Sequence, residues 1–203
     1  MRAVARALGH RGRISCREGV LVRVEGFEVE IWVIGIRGVH FPKDLSRQGL
    51  RGVLLAGLGG GLDPALKVGD VVVDGLERTG GIICSDQLVG TAQKKRELFE
   101  KTRASVVEME GKAVREWLAG NEIPLIGIRS ISDRADQGLD GRLLDWVDGW
   151  GRPRWGKLLG AMVRQPQLII PLWRLGQNGR RACGTLGMAV RRVIEQLKSS
   201  DLR

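Results

Sequence analysis

Short apolar segments rich in β-branched residues recur along the first two thirds of the chain. They are typical of strands, and several show little alternation between apolar and polar positions, as expected where both faces of a strand are buried. The predicted strands are Val20–Val24, Val29–Ile36, Gly52–Leu58, Asp70–Val73, Gly81–Ser85, Ala104–Glu108 and Leu125–Ile131.

Segments with helical character lie between and after these strands. Gly90–Thr102 is polar and rich in Lys and Glu, whereas Met109–Gly120 carries apolar residues at helical spacing and ends at a glycine. Trp155–Val163 and Gly179–Leu197 also have helical patterns, and Pro171 interrupts the apolar run between them. This order predicts an α/β fold, a three-layer sandwich around a twisted, mostly parallel mixed sheet.

Charge is distributed unevenly along the 203 residues, which carry a net charge of +10. Residues 1–150 are nearly balanced at +1, whereas residues 151–203 hold eleven Lys or Arg and two Asp or Glu, a net charge of +9. We therefore predict an α/β core over 1–150 and a basic helical segment over 151–203, packed on the same domain. Such a segment suits an anionic partner. Because the segment has no RNA-binding aromatic motif, we do not expect that partner to be a nucleic acid.

Neither a membrane-spanning apolar run nor a secretory signal is evident, so we expect a cytoplasmic protein. Cys16, Cys84 and Cys183 are odd in number and widely spaced, which predicts reduced thiols. His10 and His40 are far apart, so neither a histidine metal site nor a Ser-His-Asp triad is indicated.

Three segments have residue types suited to chemistry. Ala56–Leu62 is glycine-rich and predicts a loop after a strand, where the backbone can approach a ligand, although Leu62 breaks a dinucleotide fingerprint. Glu108 and Glu110 lie at a strand-to-helix junction, where a carboxylate can accept bonds from a diol. Asp133 ends a buried strand after Ser132, a position from which a shielded acid can donate a proton.

Each segment also has a purely structural interpretation. The glycines can form an ordinary turn. The two glutamates can be solvated residues at the start of a helix, favoured by its dipole. Ser132 or Asp133 can cap the element that follows.

The order of these motifs resembles the purine nucleoside phosphorylase and methylthioadenosine nucleosidase family. The resemblance extends over residues 27–150, and a narrower one, to bacterial hopanoid-associated phosphorylases, covers Gly151–Pro153 and Arg164–Ala182. The matching residues in the first region are Gly57–Leu62, Lys67–Asp70, Val107–Glu110 and Ile128–Asp133 with Ala135 and Asp136.

The resemblance implies a role for each motif in cleaving the bond between ribose and a purine. Glu110 would bind the ribose hydroxyls with Met109 against the sugar, and Asp133, steadied by Ser132, would protonate the departing base. The segment Leu58, Gly59 and Gly60 would run beneath the ribose, and Leu88 or Val89 would contact the base. Inorganic phosphate would be the co-substrate, no metal or organic cofactor is implied, and a homo-oligomer is expected.

Two departures from the family pattern bear on these expectations. Met1–Leu8 resembles the helix that follows the family's first strand, so we expect that strand to be absent. The family's phosphate-holding positions fall on Leu55 and Leu58, which leaves Gly35 and Arg37 as candidate phosphate ligands. The alternative for Arg37 is an ordinary surface arginine.

The resulting functional hypothesis is phosphorolysis of a purine nucleoside. The narrower resemblance implies an adenosyl-bearing hopane lipid as substrate, met by the basic segment at an anionic inner-membrane surface. The alternatives are a hydrolytic nucleosidase acting on methylthioadenosine-like nucleosides, or a catalytically impaired relative that binds membrane or nucleic acid through its basic segment.

Overall fold

The computed structural model describes residues 2–12, 19–42, 44–75 and 81–201. Its first described element is helix α1 (Arg2–Ala7), as the resemblance of Met1–Leu8 to a helix implied. Strands β1 (Val20–Val24) and β2 (Phe27–Ile31) form an antiparallel hairpin. Its two turn residues, Glu25 and Gly26, have φ of 52° and 90°, as a tight two-residue hairpin turn requires.

The other five described strands form one mixed sheet in the order β4-β7-β3-β6-β5. The pairs β3–β7 and β5–β6 are parallel, whereas β3–β6 and β4–β7 are antiparallel. The α/β fold with a mixed sheet is therefore confirmed, with parallel and antiparallel pairings in equal number among the described strands. These strands are β3 (Val53–Gly61), β4 (Val71–Asp74), β5 (Ile82–Cys84), β6 (Val106–Glu108) and β7 (Leu125–Asp133).

The glycine-rich segment is part of a strand, so the prediction of a loop there was wrong. β3 continues to Gly61 and pairs with β7 on one side and β6 on the other. The glycines serve side-chain packing across the sheet, because a Cβ at Gly57 would lie 3.0 Å from Arg129 Nη1 and one at Gly59 would overlap Val106. Space above the strand is thus taken by neighbouring side chains.

The predicted strand Val29–Ile36 was too long. β2 ends at Ile31, and a 3₁₀ turn spans Ile36–Gly38. Gly35 and Arg37 have φ of 73° and 58°, which ends the extended conformation in this segment.

The helices agree with the sequence pattern except near the end of the chain. The predicted helix Gly179–Leu197 was too short, because the last helix begins at Ile169. Pro171 stands in its first turn, where the missing N–H of proline would have no helical partner. After α1 the helices are α2 (Ala92–Thr102), α3 (Gly111–Leu118), α4 (Trp155–Arg164) and α5 (Ile169–Asp201), with a 3₁₀ turn at Gly141–Trp146.

The largest core cluster lies between the sheet, the hairpin, α1 and the second half of α5. Ile126 and Ile128 of β7 contribute to it from the sheet. It also includes Leu8, directly after α1, and the helix residues Val4, Ala5, Leu186, Val190, Val193 and Ile194. The second half of α5 is therefore a core element, whereas α4 buries none of its residues. The domain division at residue 150 stays a prediction.

Two glycines of α5 test how closely α1 and α5 approach each other. A Cβ at Gly187 would lie 2.8 Å from the Ala3 carbonyl oxygen, whereas a Cβ at Gly184 would meet nothing within 4 Å. Gly187→Ala should lower the free energy of unfolding by about 1–3 kcal/mol through overpacking. Gly184→Ala should leave it unchanged or raise it by up to about 1 kcal/mol, since alanine favours helix. Urea unfolding measures both, and equal effects would mean that the helices are not in close contact.

Candidate active site

Asp133 lies at a bulge where β7 passes the end of β3. Gly59 pairs with Ile131 and Gly60 pairs with Asp133, so Ser132 is the extra residue. The bulge changes the side-chain alternation and sets Asp133 beside Gly60, where a Cβ would lie 3.3 Å from Asp133 Oδ2. The carboxyl is buried, with only 3% of the residue exposed.

A buried lysine from α2 pairs with this carboxylate. Lys95 Nζ donates to Asp133 Oδ2 and to the carbonyl oxygens of Arg134 (2.7 Å) and Gln137 (3.1 Å). All three donors of the ammonium are therefore used, and Lys95 has no exposed surface. Sequence reasoning missed this residue, because Lys95 stands among Lys94 and Arg96 in a polar helix, and nothing in the pattern separates the buried cation from its exposed neighbours.

The second oxygen of the carboxylate is also engaged. The Ser132 hydroxyl lies 2.6 Å from Asp133 Oδ1 and 3.2 Å from the Gly59 carbonyl oxygen. The structure thus brings Ser132, Asp133, Gly59 and Gly60 together. In this arrangement both oxygens of Asp133 accept hydrogen bonds.

A second buried ion pair lies under the glycines of β3. Arg129 Nη2 donates to Glu108 Oε2 at 2.6 Å, and Arg129 Nη1 donates to the Leu55 carbonyl at 2.8 Å. Glu108 also accepts from the amides of Glu110 (2.8 Å) and Gly111 (2.8 Å). Burial alone would raise the pKa of Glu108, but Arg129 and the Glu110 amide outweigh it and hold that pKa below its usual value.

Glu110 occupies a different environment from Glu108. Its Oε2 lies 3.8 Å from Arg129 Nη2, its Oε1 accepts from the Arg37 amide at 3.3 Å, and 21% of its side chain is exposed. Burial raises the pKa of Glu110 above its usual value; Arg129 opposes this shift and the neighbouring Glu108 carboxylate adds to it. Glu108 therefore has a structural role, whereas the Glu110 carboxylate can accept further hydrogen bonds and is accessible to solvent.

The turn with the candidate phosphate ligands reaches Glu110. Its backbone packs closely on α3, because a Cβ at Gly38 would lie 2.8 Å from Ala113 Cβ. The Arg37 amide points at Glu110, and the rest of Arg37 is exposed. The structure thus brings Arg37 and Glu110 together, although they are 73 positions apart in the sequence.

The remaining predicted site residues lie in other environments. Leu58 packs against the core on the side of α1 and α5, so its side chain faces away from Arg129. Val89 packs against Leu62 and Val107 beside α2. Met109 is half-buried between the two glutamates. Among the described residues no hydrogen bond or ion pair joins the Asp133 group to the Glu110 group, and Gly59 and Gly60 lie between them.

A cleft of about 370 Å³ adjoins the second ion pair. None of the predicted site residues lines it, and its residues are Cys84, Asp86, Lys112, Arg115 and Glu116. Cys84 forms a hydrogen bond with Glu108, and burial, followed by this contact, raises the pKa of its thiol. Both Cys84 and Cys183 are free thiols, as predicted, and Cys16 lies outside the described residues.

The two glutamates should respond in opposite ways to conversion into the amide. The lowered pKa of Glu108 stabilises the fold above its usual value of 4.5, and this contribution is lost as pH falls through the lowered value. Glu108→Gln should therefore lower the free energy of unfolding at pH 7 by about 3 kcal/mol, since it breaks a buried ion pair.

The raised pKa of Glu110 has the opposite effect on how stability depends on pH. Its ionisation weakens the fold as pH rises from its usual value of 4.5 through the raised value, so Glu110→Gln should raise the melting temperature at pH 7 and lose this pH dependence. Thermal unfolding of both variants at pH 4 and pH 7 measures the difference. A lower melting temperature for Glu110→Gln at pH 7 would contradict the distinction between the two residues.

Comparison with known proteins agrees with this architecture. Residues 77–165 match the model of the phosphorylase superfamily. No curated protein matches the sequence. Among solved structures, futalosine hydrolase of Helicobacter pylori strain 26695 is similar with a TM-score of 0.62 and 16% identity, covering 97% of this chain and 94% of that chain.

Two nucleosidases have a similar fold. The 5'-methylthioadenosine/S-adenosylhomocysteine nucleosidase of Helicobacter pylori, in complex with butyl-thio-DADMe-Immucillin-A, gives a TM-score of 0.61 at 17% identity over 96% of this chain and 92% of that one. The nucleosidase of Campylobacter jejuni gives 0.61 at 14% identity over 96% and 93%. The matched segment is similar to the phosphorylase superfamily, and nearly the whole chain has the same fold as the futalosine hydrolase and the two nucleosidases.

Proposed function

We propose that this protein cleaves the N-glycosidic bond of a purine nucleoside by phosphorolysis. The observation that supports it most directly is the contact between the Arg37 amide and Glu110 Oε1. Phosphate and ribose react at the anomeric carbon, so their binding residues must be neighbours. The fold makes neighbours of the two residues proposed for these roles.

Glu110 would hold the ribose. An ionised carboxylate accepts charge-assisted hydrogen bonds from two vicinal hydroxyls, and it stabilises positive charge that develops on the sugar as the base departs. Arg129, 3.8 Å from Glu110, keeps a positive charge beside this carboxylate. The exposed fraction of Glu110 gives the sugar access to it.

Asp133 would protonate the base, with Lys95 as the source of the proton. As the bond between the anomeric carbon and the base breaks, its electron pair goes to the base. Lys95 Nζ passes a proton to the Asp133 carboxylate, which passes it on to a ring nitrogen of the departing base, and this leaves a neutral lysine amine, the Asp133 carboxylate and a neutral purine. The base would replace Ser132 as the partner of Asp133 Oδ1.

The substrate we propose is an adenosyl-bearing hopanoid lipid. The similarity of Gly151–Pro153 and Arg164–Ala182 to hopanoid-associated phosphorylases supports this choice. A nucleoside with so long an apolar tail would have to be met at a membrane surface. No metal or organic cofactor enters the proposed reaction.

Hydrolysis is the second candidate, favoured by a specific observation. The solved structures of similar fold named above are a futalosine hydrolase and two nucleosidases. Water would then replace phosphate beside Glu110. An assay of adenine release from adenosine and 5'-methylthioadenosine, with and without phosphate, distinguishes the two reactions. Phosphorolysis gives ribose 1-phosphates only when phosphate is present, whereas hydrolysis gives free sugars in both conditions.

Replacement of Asp133 tests the proposed acid. Asp133→Asn should lower kcat by about 10²–10⁴-fold, because an amide cannot supply the proton to the base. Asp136→Asn, three residues further on and exposed, is the matched control and should retain wild-type turnover. Circular dichroism checks that both variants fold. Undiminished adenine release by a folded Asp133→Asn protein would remove Asp133 from the mechanism.

Replacement of Arg37 separates phosphorolysis from hydrolysis. Arg37→Ala should raise the KM for phosphate by roughly tenfold, the loss expected for one charged hydrogen bond, with little effect on the KM for the nucleoside. Arg23→Ala, at an exposed arginine of the β1–β2 hairpin, is the control. If the two variants show the same KM for phosphate, Arg37 is a surface arginine.

A further inference from the structure

The surface of α4 and of the first half of α5 exposes large apolar side chains in two helical stripes. Trp155, Leu159 and Val163 stand four positions apart on α4, with exposed fractions of 65%, 55% and 80%. Ile169, Ile170 and Trp173 stand within one turn of α5 and are 45–64% exposed. We call these six side chains, with the exposed basic residues Arg154, Lys157, Arg164 and Arg174 among them, the α4–α5 surface.

None of these six side chains belongs to a core cluster of the described residues. α4 buries no residue, and the buried residues of α5 begin only at Ala182, in the half that packs against α1 and the sheet. Arg142 Nη2 donates to Gln165 Oε1 at 2.9 Å and ties the junction of α4 and α5 to the rest of the fold. The apolar residues are therefore held in place at the surface.

All charged residues in the part of the chain that carries the α4–α5 surface are positive. Residues 149–194 contain nine Arg or Lys and no Asp or Glu. A symmetric contact between two copies would place this surface against itself and bring its positive charges together, which opposes self-association. A polyanionic nucleic acid would match the charge but would leave Leu159, Val163, Ile169 and Ile170 without apolar contacts.

We propose that the α4–α5 surface binds the headgroup region of an anionic lipid bilayer. Amphipathic helices with basic residues beside tryptophan and aliphatic residues lie in the plane of such an interface, with the apolar side chains entering the acyl boundary and the cations contacting lipid phosphates. Tryptophan suits this depth because its ring is apolar and its N–H is polar. No described helix is long and apolar enough to cross a membrane. The proposed binding is interfacial, and it does not depend on the proposed reaction.

The test compares two substitutions that add the same charge to an exposed apolar position on a helix. Val163→Asp changes the α4–α5 surface, whereas Met188→Asp changes an exposed residue of the packed half of α5. The full chain is sedimented with phosphatidylglycerol vesicles and with phosphatidylcholine vesicles at low and high salt. We expect binding to the anionic vesicles at low salt, weakened by salt, and lowered roughly tenfold by Val163→Asp but little by Met188→Asp.

Three results would overturn the proposal. One is the absence of binding to anionic vesicles at low salt, and another is an equal loss in both variants, which would mean adsorption by charge alone. The third is a concentration-dependent dimer, seen by light scattering, that Val163→Asp abolishes, because the surface would then bind a second copy. Cleavage of soluble adenosine should be the same in both variants and the wild type, so a failed activity assay and a failed binding assay are separate outcomes.

Discussion

The buried pair of Arg129 and Glu108 is the interaction on which the arrangement of the site depends. Both side chains are 1% exposed, and removal of either would leave an uncompensated charge inside the protein. Arg129 can lie over β3 because Gly57 has no side chain to displace it. The pair therefore requires a glycine in the strand, a strand-to-helix junction that supplies amides to Glu108, and a central strand that carries the arginine.

The same pair gives two chemically identical side chains, Glu108 and Glu110, different environments. Glu108 has its oxygens occupied by Arg129 and by backbone amides, so its charge is neutralised within the fold. Glu110, two residues on, has a longer contact with Arg129, accepts from the Arg37 amide, and retains access to solvent. A carboxylate kept beside a fixed positive charge, with its own hydrogen-bonding capacity unfilled, is prepared to receive a ligand.

Lys95 and Asp133 form the other buried ion pair, which fixes a different part of the backbone. The lysine also binds the carbonyls of Arg134 and Gln137, so it fixes the backbone that follows β7. In the proposed reaction it would also supply the proton that Asp133 passes on. One residue would then combine a structural contact with a part in the chemistry.

The sequence by itself determined the α/β fold, the positions of most strands and helices, and the motifs resembling the superfamily. Periodicity and turn residues are short-range properties of the chain, and the bounds that they predicted for β1, β7 and α3 are close to those observed. Only the tertiary structure decided that the glycines belong to a strand, that Pro171 lies within a helix, that Arg129 neutralises Glu108, and that Lys95 rather than Lys94 reaches Asp133. These facts depend on which distant segments meet, because burial and ion pairing are set by partners that the local pattern of a segment does not contain.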